Sequence, residues 1–319
     1  MKHKAVTFIS KYGTAILIVL SFAFFSIKMP DIWLTSYVMI TILEQSVSLG
    51  LVALGLTVVN AAGEMDMSIG SIASLGSMIT MFLIVGEQSI PVAIIATLLI
   101  GAAIGFVNGF MRTKMRIPGM IPTIGTQIAV AGIAMMVNSG NIIYGGGHAL
   151  DTLTTMGRGY LGENISIPAI IFLVVALLVW FMMSKTHQGR LFYVIGGNKE
   201  ASRLSGVQLH LNVILAYVIC GALGAFAGLM SAARSGSGNP EAGINFLLDG
   251  LIAITLGSTF LTEEREYKAL GSVVGALYIT MMINGMQMMG CGNHQQCIMR
   301  GVLLLVGLTL SSLRRIATE

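Results

Sequence analysis

GRLFYVIGGNKEASRLSG, residues 189–206, is a polar, glycine-punctuated island between two apolar stretches that are each long enough to cross a bilayer. A short helix is expected inside it. Asn198 can cap that helix, Glu200 stands in its first turn where negative charge suits the dipole, and Gly206 can supply the left-handed residue that ends it. Ala201, Leu204 and Val207 recur every three residues, forming a narrow apolar face between the charged Lys199, Glu200 and Arg203. A helix this short is not stable alone, so it is expected to rest on other structure. The residues alone leave two readings open, a membrane-surface helix in a cytoplasmic loop or a docking element for a partner.

The composition around this island is that of a polytopic membrane protein. Apolar residues make up 55% of the chain and charged residues 10%, with a mean hydropathy of +0.84, outside the soluble globular range. The net charge of +4 does not indicate a nucleic-acid partner, because basic residues in membrane proteins mark the cytoplasmic side. Three cysteines, Cys220, Cys291 and Cys297, are too few for a disulfide scaffold. Thirty-nine glycines against six prolines suit membrane helices whose backbones approach closely.

Apolar runs fall at 12–29, 37–60, 67–86, 90–111, 119–139, 165–184, 211–233, 247–261, 268–289 and 295–313. The first follows Lys2, Lys4 and Lys11 but no A-x-A site follows it, so it reads as an uncleaved first helix with its N-terminus inside. Ten spans place both termini on one face. The inner segments then hold Lys2, Lys4, Lys11, Arg112, Lys114, Arg116, Lys185, Arg190, Lys199, Arg203, Arg265, Lys268, Arg314 and Arg315, leaving only Lys28, Arg158, Arg234 and Arg300 at the outer side. That asymmetry supports ten spans with cytoplasmic termini in one transmembrane domain, 1–319, whose cytoplasmic segment runs from about 185 to 210.

Two interruptions break the apolar pattern. GEMDMSIG, 63–70, carries Glu64 and Asp66 where an inner turn with basic residues is expected, and RSGSGNPEAGINFLLD, 234–249, follows the seventh run. Acidic groups at membrane depth face a bundle interior or cavity, and broken helices are tolerated where they line one. The helices before the two breaks run in opposite directions, which points to inverted repeats with a solute path at their interface. The outer loop 141–164, with Tyr144, His148 and Arg158, reads either as a site for an external partner or as a flexible connection.

No catalytic constellation emerges. The histidines are scattered, no HExxH or GxSxG occurs, and the absence of any Gly-Lys dipeptide excludes a phosphate-binding G-x-x-x-x-G-K-[ST] loop. Cys291, His294 and Cys297 lack a fourth metal ligand, so they read as free thiols or a disulfide rather than a metal site, and no cofactor is implied. Glu44 in the second span reads as a helix-to-helix hydrogen-bonding group or a lining of a polar path. Asn108, Asn284 and Gln287 either bond a hydroxylated solute or join helices.

Three long stretches together resemble the permease subunits of bacterial ABC importers for sugars, the ribose, xylose, arabinose and galactose group. GEMDMSIGSIASLG (63–76) is similar to the family's Gly-Gly-Ile-Asp-Leu-Ser-Val-Gly-Ser motif, and GRLFYVIGGNKEASRLSGV (189–207) to its Gly-Arg…Gly-Gly-Asn-x-x-Ala-Ala segment. RSGSGNPEAGINFLLDGLIAITLGST (234–259) resembles its Arg-x-Gly-x-x-x-Pro…Leu-Gly-Gly-Thr segment, and Gln295, Gln296 and Gly301 match the start of its last helix. The resemblance implies an all-α permease of about ten helices that pairs as a homodimer or with a sister permease. It also implies cytoplasmic ATP-binding subunits and a periplasmic solute-binding protein as partners, in the bacterial inner membrane, with a small sugar-like solute as cargo. On this resemblance Asn198, Glu200, Ala201, Arg203, Leu204 and Gly206 form the coupling helix on the ATPase. Asp66, Ser68 and Gly70 carry over from the first motif and Pro240, Gly243 and Asp249 from the third as gating residues, with Glu44 and Asn108 along the path.

The chain departs from the family at two places. Glu263, Glu264 and Glu266 replace a glycine-rich inner turn within GSTFLTEEREYKALGS (257–272), and Glu64 stands where a second glycine is usual. The other readings are a branched-chain amino acid or nucleoside importer permease, a proton-coupled carrier that needs no ATPase, and a membrane enzyme, which the missing catalytic groups disfavour.

Overall fold

The computed structural model describes residues 2–318 apart from 116, 119, 163, 164 and 261–268, with side chains described between 12 and 312 except 259 and 260. The acidic residues Glu263, Glu264 and Glu266, and Arg116, Arg265 and Lys268, lie outside the described residues. The helices are α1 (Lys2–Lys28), α2 (Pro30–Trp33), α3 (Ser36–Ala61), α4 (Ile69–Val85), α5 (Ile90–Thr113), α6 (Ile121–Met136) and α7 (His148–Arg158). They continue with α8 (Ile167–Lys185), α9 (His187–Gly197), α10 (Lys199–Leu204), α11 (Leu209–Ser235), α12 (Phe246–Phe260), α13 (Ala269–Met288) and α14 (Asn293–Thr318).

Each apolar run read from the sequence coincides with a helix. α3, α5, α8, α11, α13 and α14 are long and apolar enough to cross a membrane, and the apolar parts of α1, α4, α6 and α12 are shorter. Pro91, Pro122 and Pro168 sit in the first turns of α5, α6 and α8, where the missing N–H leaves no helical bond unmade. Phe106, Leu99 and Ile95 on α5 and Leu177, Leu178 and Phe181 on α8 are exposed. Such faces suit lipid rather than water.

α3 is the enclosed centre, with Leu51, Val52, Ala53, Leu54 and Leu56 fully buried. It packs on α11, α12 and α13, while α11 packs on α3, α4 and α5. Each of these two helices therefore precedes a break and packs on the pair of helices that follows the other's break. Small residues allow the approach. Gly101, Gly105 and Gly109 of α5, spaced by four, lie against the backbones of Gly221, Tyr217 and Ile214 on α11, and Gly76 and Ala73 of α4 lie against Ala225 and Gly228.

Both breaks lie inside this packing. Ile69, which opens α4, contacts Gly224 of α11, fifteen residues past Leu209 and so about 22 Å along the axis from the start of α11. The link 62–68 thus climbs into the bundle instead of turning at its surface. The second link descends from the other end: two-residue strands β1 (Ile143–Tyr144) and β4 (Ser237–Gly238) pair antiparallel, and Asn239 N and Gly243 N then donate to Ser77 Oγ (3.2 Å) and Ser74 Oγ (3.0 Å) of α4. Residues 141–162 contain β1, a helix and a further short strand. β2 (Tyr160–Leu161) pairs with β3 (Ile165–Ser166), and Gly157 of α7 meets the backbone of Ala233 and Arg234 at the end of α11.

A methyl group added at Gly228 collides with the Ala73 carbonyl, whereas Gly132 on α6 has nothing within 4 Å. Gly228→Ala is expected to lower the thermal midpoint in detergent, at a cost of about 1–3 kcal/mol from overpacking. Gly132→Ala is expected to leave the midpoint unchanged or raise it, by up to about 1 kcal/mol of helix propensity.

Candidate functional site

The first break is organised by Asp66. It has no backbone neighbour in a regular helix to hold it, so its carboxylate takes the donors of the turn itself: Ser68 N (2.9 Å) and Ser68 Oγ (2.6 Å) both donate to Oδ1. This is an Asx-type turn that seeds the start of α4. Asn108 of α5 reaches across, its Nδ2 donating to Ser68 Oγ (2.9 Å) and to Asp66 Oδ1 (3.4 Å), while its Oδ1 accepts from Thr126 Oγ1 of α6 (2.7 Å). Asp66, Ser68 and Asn108 are all fully buried. Tyr217 of α11 donates its hydroxyl to Met65 O (3.2 Å). Four helices therefore meet at one polar knot, and Thr126 and Tyr217 are members the sequence did not single out.

The two breaks touch one turn further on. A Cβ at Gly70 would stand 2.7 Å from Gly243 O, and a Cβ at Gly243 would collide with Gly70 O. Two glycines are needed because the backbones themselves are in contact. Pro240 is buried in the same link. Gly70, Pro240 and Gly243 are thus assembled, whereas Asp249 belongs elsewhere: its Oδ1 accepts from Arg300 Nε at 2.7 Å, in a pair with side chains only 5% and 10% exposed. The partner comes from α14, and nothing in the spacing of 51 residues announces it.

Asp249 and Glu44 face one cavity of about 610 Å³, toward the end of the bundle that carries α7 and the strands. That volume suits a small organic ligand, for which pockets of about 300–1,000 Å³ are usual. Gln45, Ser48, Ser231, Arg234 and Thr280 line it from helices, together with the exposed Tyr37, Arg158 and Tyr160. Glu44 accepts from Ser166 Oγ at 3.0 Å, and its carboxylate beside Tyr160 raises that phenol above its ordinary range. Asn284 donates to Gln45 Oε1 (2.8 Å), joining α13 to α3. Sequence reading found Glu44 and Asp249 but not Arg234, Arg158 or the tyrosines, whose shared position depends on α7 folding back.

At the opposite end lies the helix of the polar island. Asn198 accepts from Ala201 N at 3.0 Å and caps α10, and Gly206 closes it at φ +79°. Glu200 and Arg203 pair on its exposed side. The helix rests on α9 through Ser202, whose Oγ donates to Val194 O (3.0 Å) and which is buried. Its apolar stripe points the other way: Leu204 is 79% exposed, with Ala201 exposed beside it. The expectation that the helix leans on other structure holds: Ser202 and, just past the helix, Val207 face the protein, while Ala201 and Leu204 are turned out. A groove of about 550 Å³ lined by His187, Gln188, Leu191, Gly206, Val207 and Leu211 runs alongside. Cys291 and Cys297 are free.

Residues 38–308 match the family described as "Branched-chain amino acid transport system / permease component". The chain is 30% identical to the ribose import permease protein RbsC of Escherichia coli K12 over 273 residues, covering 85% of this chain and 84% of the relative. It is 32% identical to RbsC of Bacillus subtilis over 271 residues, 85% and 83%. It is 28% identical to the D-allose transport system permease protein AlsC of Escherichia coli K12 over 307 residues, 96% and 93%. No solved structure matches.

Breaking the Asp249–Arg300 pair leaves one buried charge uncompensated. Arg300→Met is expected to cost about 3–5 kcal/mol, whereas the double variant Asp249→Leu/Arg300→Met recovers most of that loss. Thermal unfolding of the two variants in detergent, followed by intrinsic fluorescence, checks the difference.

Proposed function

The chain belongs to the family of branched-chain amino acid transport system permease components, and from that premise we propose that it is the membrane-spanning translocation subunit of an ATP-driven importer for a monosaccharide or similarly small polyhydroxylated solute. It is a multi-pass membrane protein. Its relatives for ribose and D-allose cover most of its length. The observation that carries the cargo class is the lining of the cavity: Glu44, Gln45, Ser48, Arg234 and Thr280 present donors and acceptors in a space of about 610 Å³. Hydroxyl groups of a sugar exchange hydrogen bonds with such a wall, and the exposed tyrosines offer flat faces to its C–H surface.

Ten helices cross the membrane in this reading, in two inverted halves, with both termini in the cytoplasm and the membrane being the bacterial inner one. The reciprocal packing of α3 and α11 supports the two halves. The whole of 1–319 is one transmembrane domain, and 185–210 is its cytoplasmic coupling segment. A periplasmic solute-binding protein delivers the cargo to the end carrying α7. A second permease copy, identical or a sister, completes the path.

ATP hydrolysis belongs to partner subunits, since the sequence has no phosphate-binding Gly-Lys loop. They dock on α10, where Asn198 and Gly206 set the ends of the helix and Glu200, Ala201, Arg203 and Leu204 present its free face. An exposed leucine rimmed by an ion pair is the kind of surface a partner covers. Closure of the ATPase dimer pulls α10, and the motion reaches Asp66, Ser68, Asn108, Gly70, Pro240 and Gly243, whose contacts close the route below the cavity. Glu44 and Asp249 stay above that closure, in the outer chamber. Solute held there by exchangeable hydrogen bonds is bound weakly enough to leave.

The family description names a second cargo, a branched-chain amino acid. An aliphatic side chain gains little from so polar a wall. Uptake of radiolabelled ribose, D-allose and leucine into cells carrying the complete system, with and without the partner ATPase gene, separates the readings. The proposal expects sugar uptake that leucine does not compete with and that vanishes with the ATPase; unimpaired uptake without the ATPase indicates a secondary carrier.

Two substitutions address the site. Leu204→Asp is expected to reduce solute-dependent ATP hydrolysis by the reconstituted complex at least about tenfold, as loss of a central hot-spot side chain does, while membrane insertion is unchanged. Gly70→Leu forces apart the two breaks and is expected to stop uptake, checked by transport assay beside a measurement of complex assembly.

A further inference from the structure

We propose that Glu64, Arg112 and Lys199 form an ionic tether that carries the movement of α10 to the first break, making Glu64 and Lys199 positioning residues for energy coupling. The inference rests on reading α10 as the docking helix. Lys199 is the first residue of α10, and its Nζ lies 2.7 Å from Glu64 Oε1 and 3.1 Å from Gly63 O. Arg112, near the end of α5, places Nε 2.9 Å from Glu64 Oε2. The Glu64 side chain is only 5% exposed, while Lys199 is 39% exposed. One buried carboxylate thus takes a cation from a fixed helix and another from the helix at the surface.

The backbone reinforces the link. Gly63 has φ +69°, and a Cβ there would stand 3.0 Å from Gly196 Cα, while a Cβ on Gly196 would collide with the Ala61 carbonyl. The end of α9, one residue before the Asn198 cap, is therefore seated directly on the start of the break. Two residues beyond Glu64 is Asp66, which organises the start of α4 and takes Asn108 of α5. Asn108 and Arg112 are one helical turn apart on α5, so the same face of α5 holds both acids of the break. A displacement of Lys199 reaches Asp66 through an ion pair and two peptide units, and the Gly70–Gly243 contact lies four residues further on.

Glu64 is also the residue that departs from the glycine of the related motif. A glycine at this position has no side chain to reach Lys199 or Arg112, so the tether is a property of this chain and not of the motif. The carboxylate is buried while Lys199 reaches it from a partly exposed position, so solvent and salt weaken the lysine's share of the link more than the carboxylate's own burial suggests.

The test uses the complete complex with its ATP-binding subunits in liposomes, and a cysteine introduced as Met67→Cys with Cys291 and Cys297 replaced by serine. The rate at which a maleimide labels residue 67 is measured with and without ATP and vanadate, so no knowledge of the solute is needed. The parent is expected to change its labelling rate on ATP binding by about fivefold or more, a usual size of coupling between sites. Glu64→Gln and Lys199→Met each shrink that change to below about twofold, the double variant is no worse than either single one, and Lys199→Arg restores it. A merely structural ion pair predicts altered assembly or stability with the ATP response intact. A full response in assembled Glu64→Gln and Lys199→Met, or losses that multiply in the double variant, overturns the tether. Absence of any ATP response in the parent overturns the docking role of α10, and the tether with it.

Discussion

Backbone lying directly on backbone is the constraint on which this structure depends. Inside a bilayer the lipid is as apolar as any side chain, so helices gain little by hiding hydrophobic surface from it, and close packing becomes the main attraction. The contact of Gly101, Gly105 and Gly109 with α11, of Gly228 with Ala73, and of Gly70 with Gly243 all follow from it. A single methyl group at such a point must displace a peptide unit. The same tight seams leave the lipid-facing sides of α5 and α8 free to be uniformly apolar.

Within that packing, polar groups are placed where irregular backbone needs them. The first break leaves peptide groups without helical partners; Asp66 accepts from Ser68 N and Tyr217 donates to Met65 O, while Asn108 holds the Asp66 and Ser68 side chains in place. The second link takes its hydrogen bonds from Ser74 and Ser77 of α4. Each break is also tied to the helices beyond the other one, the first through Tyr217 of α11 on Met65 O and the second through Ser74 and Ser77 of α4. Glu64 and Asp66 sit two residues apart yet serve different ends, one turned to the surface helix and one to the polar knot.

Local features were legible where local chemistry decides them. The cap by Asn198 and the left-handed Gly206 both follow from residues next to one another. Asp66 stood out as an acid in an apolar run, and Gly70 and Gly243 were carried by the motifs the chain resembles; the structure places these two glycines in contact. Illegible were the partners. Arg300 had no mark distinguishing it from an ordinary outer-surface cation, and Arg158 stood in a loop that read equally as a partner site or a connection, whereas the structure places it with Tyr160 in the lining of the cavity. The stripe of Ala201 and Leu204 was read for its period, yet period alone does not say whether a face turns inward.

Sequence alone thus determined the class of protein, the positions of its apolar segments and the two places where they break. These depend on composition and on contacts spanning a few residues, which the bilayer makes strict by forbidding unpaired backbone polar groups. Tertiary structure decided that the breaks touch, that Asp249 pairs with Arg300, that Glu44 opens on a cavity, and that Lys199 holds Glu64. Each of those joins residues 51 or more positions apart or depends on the side toward which a helix turns. Such outcomes are set by how ridges of small residues fit across helices, a property of pairs of surfaces that no single stretch of chain contains.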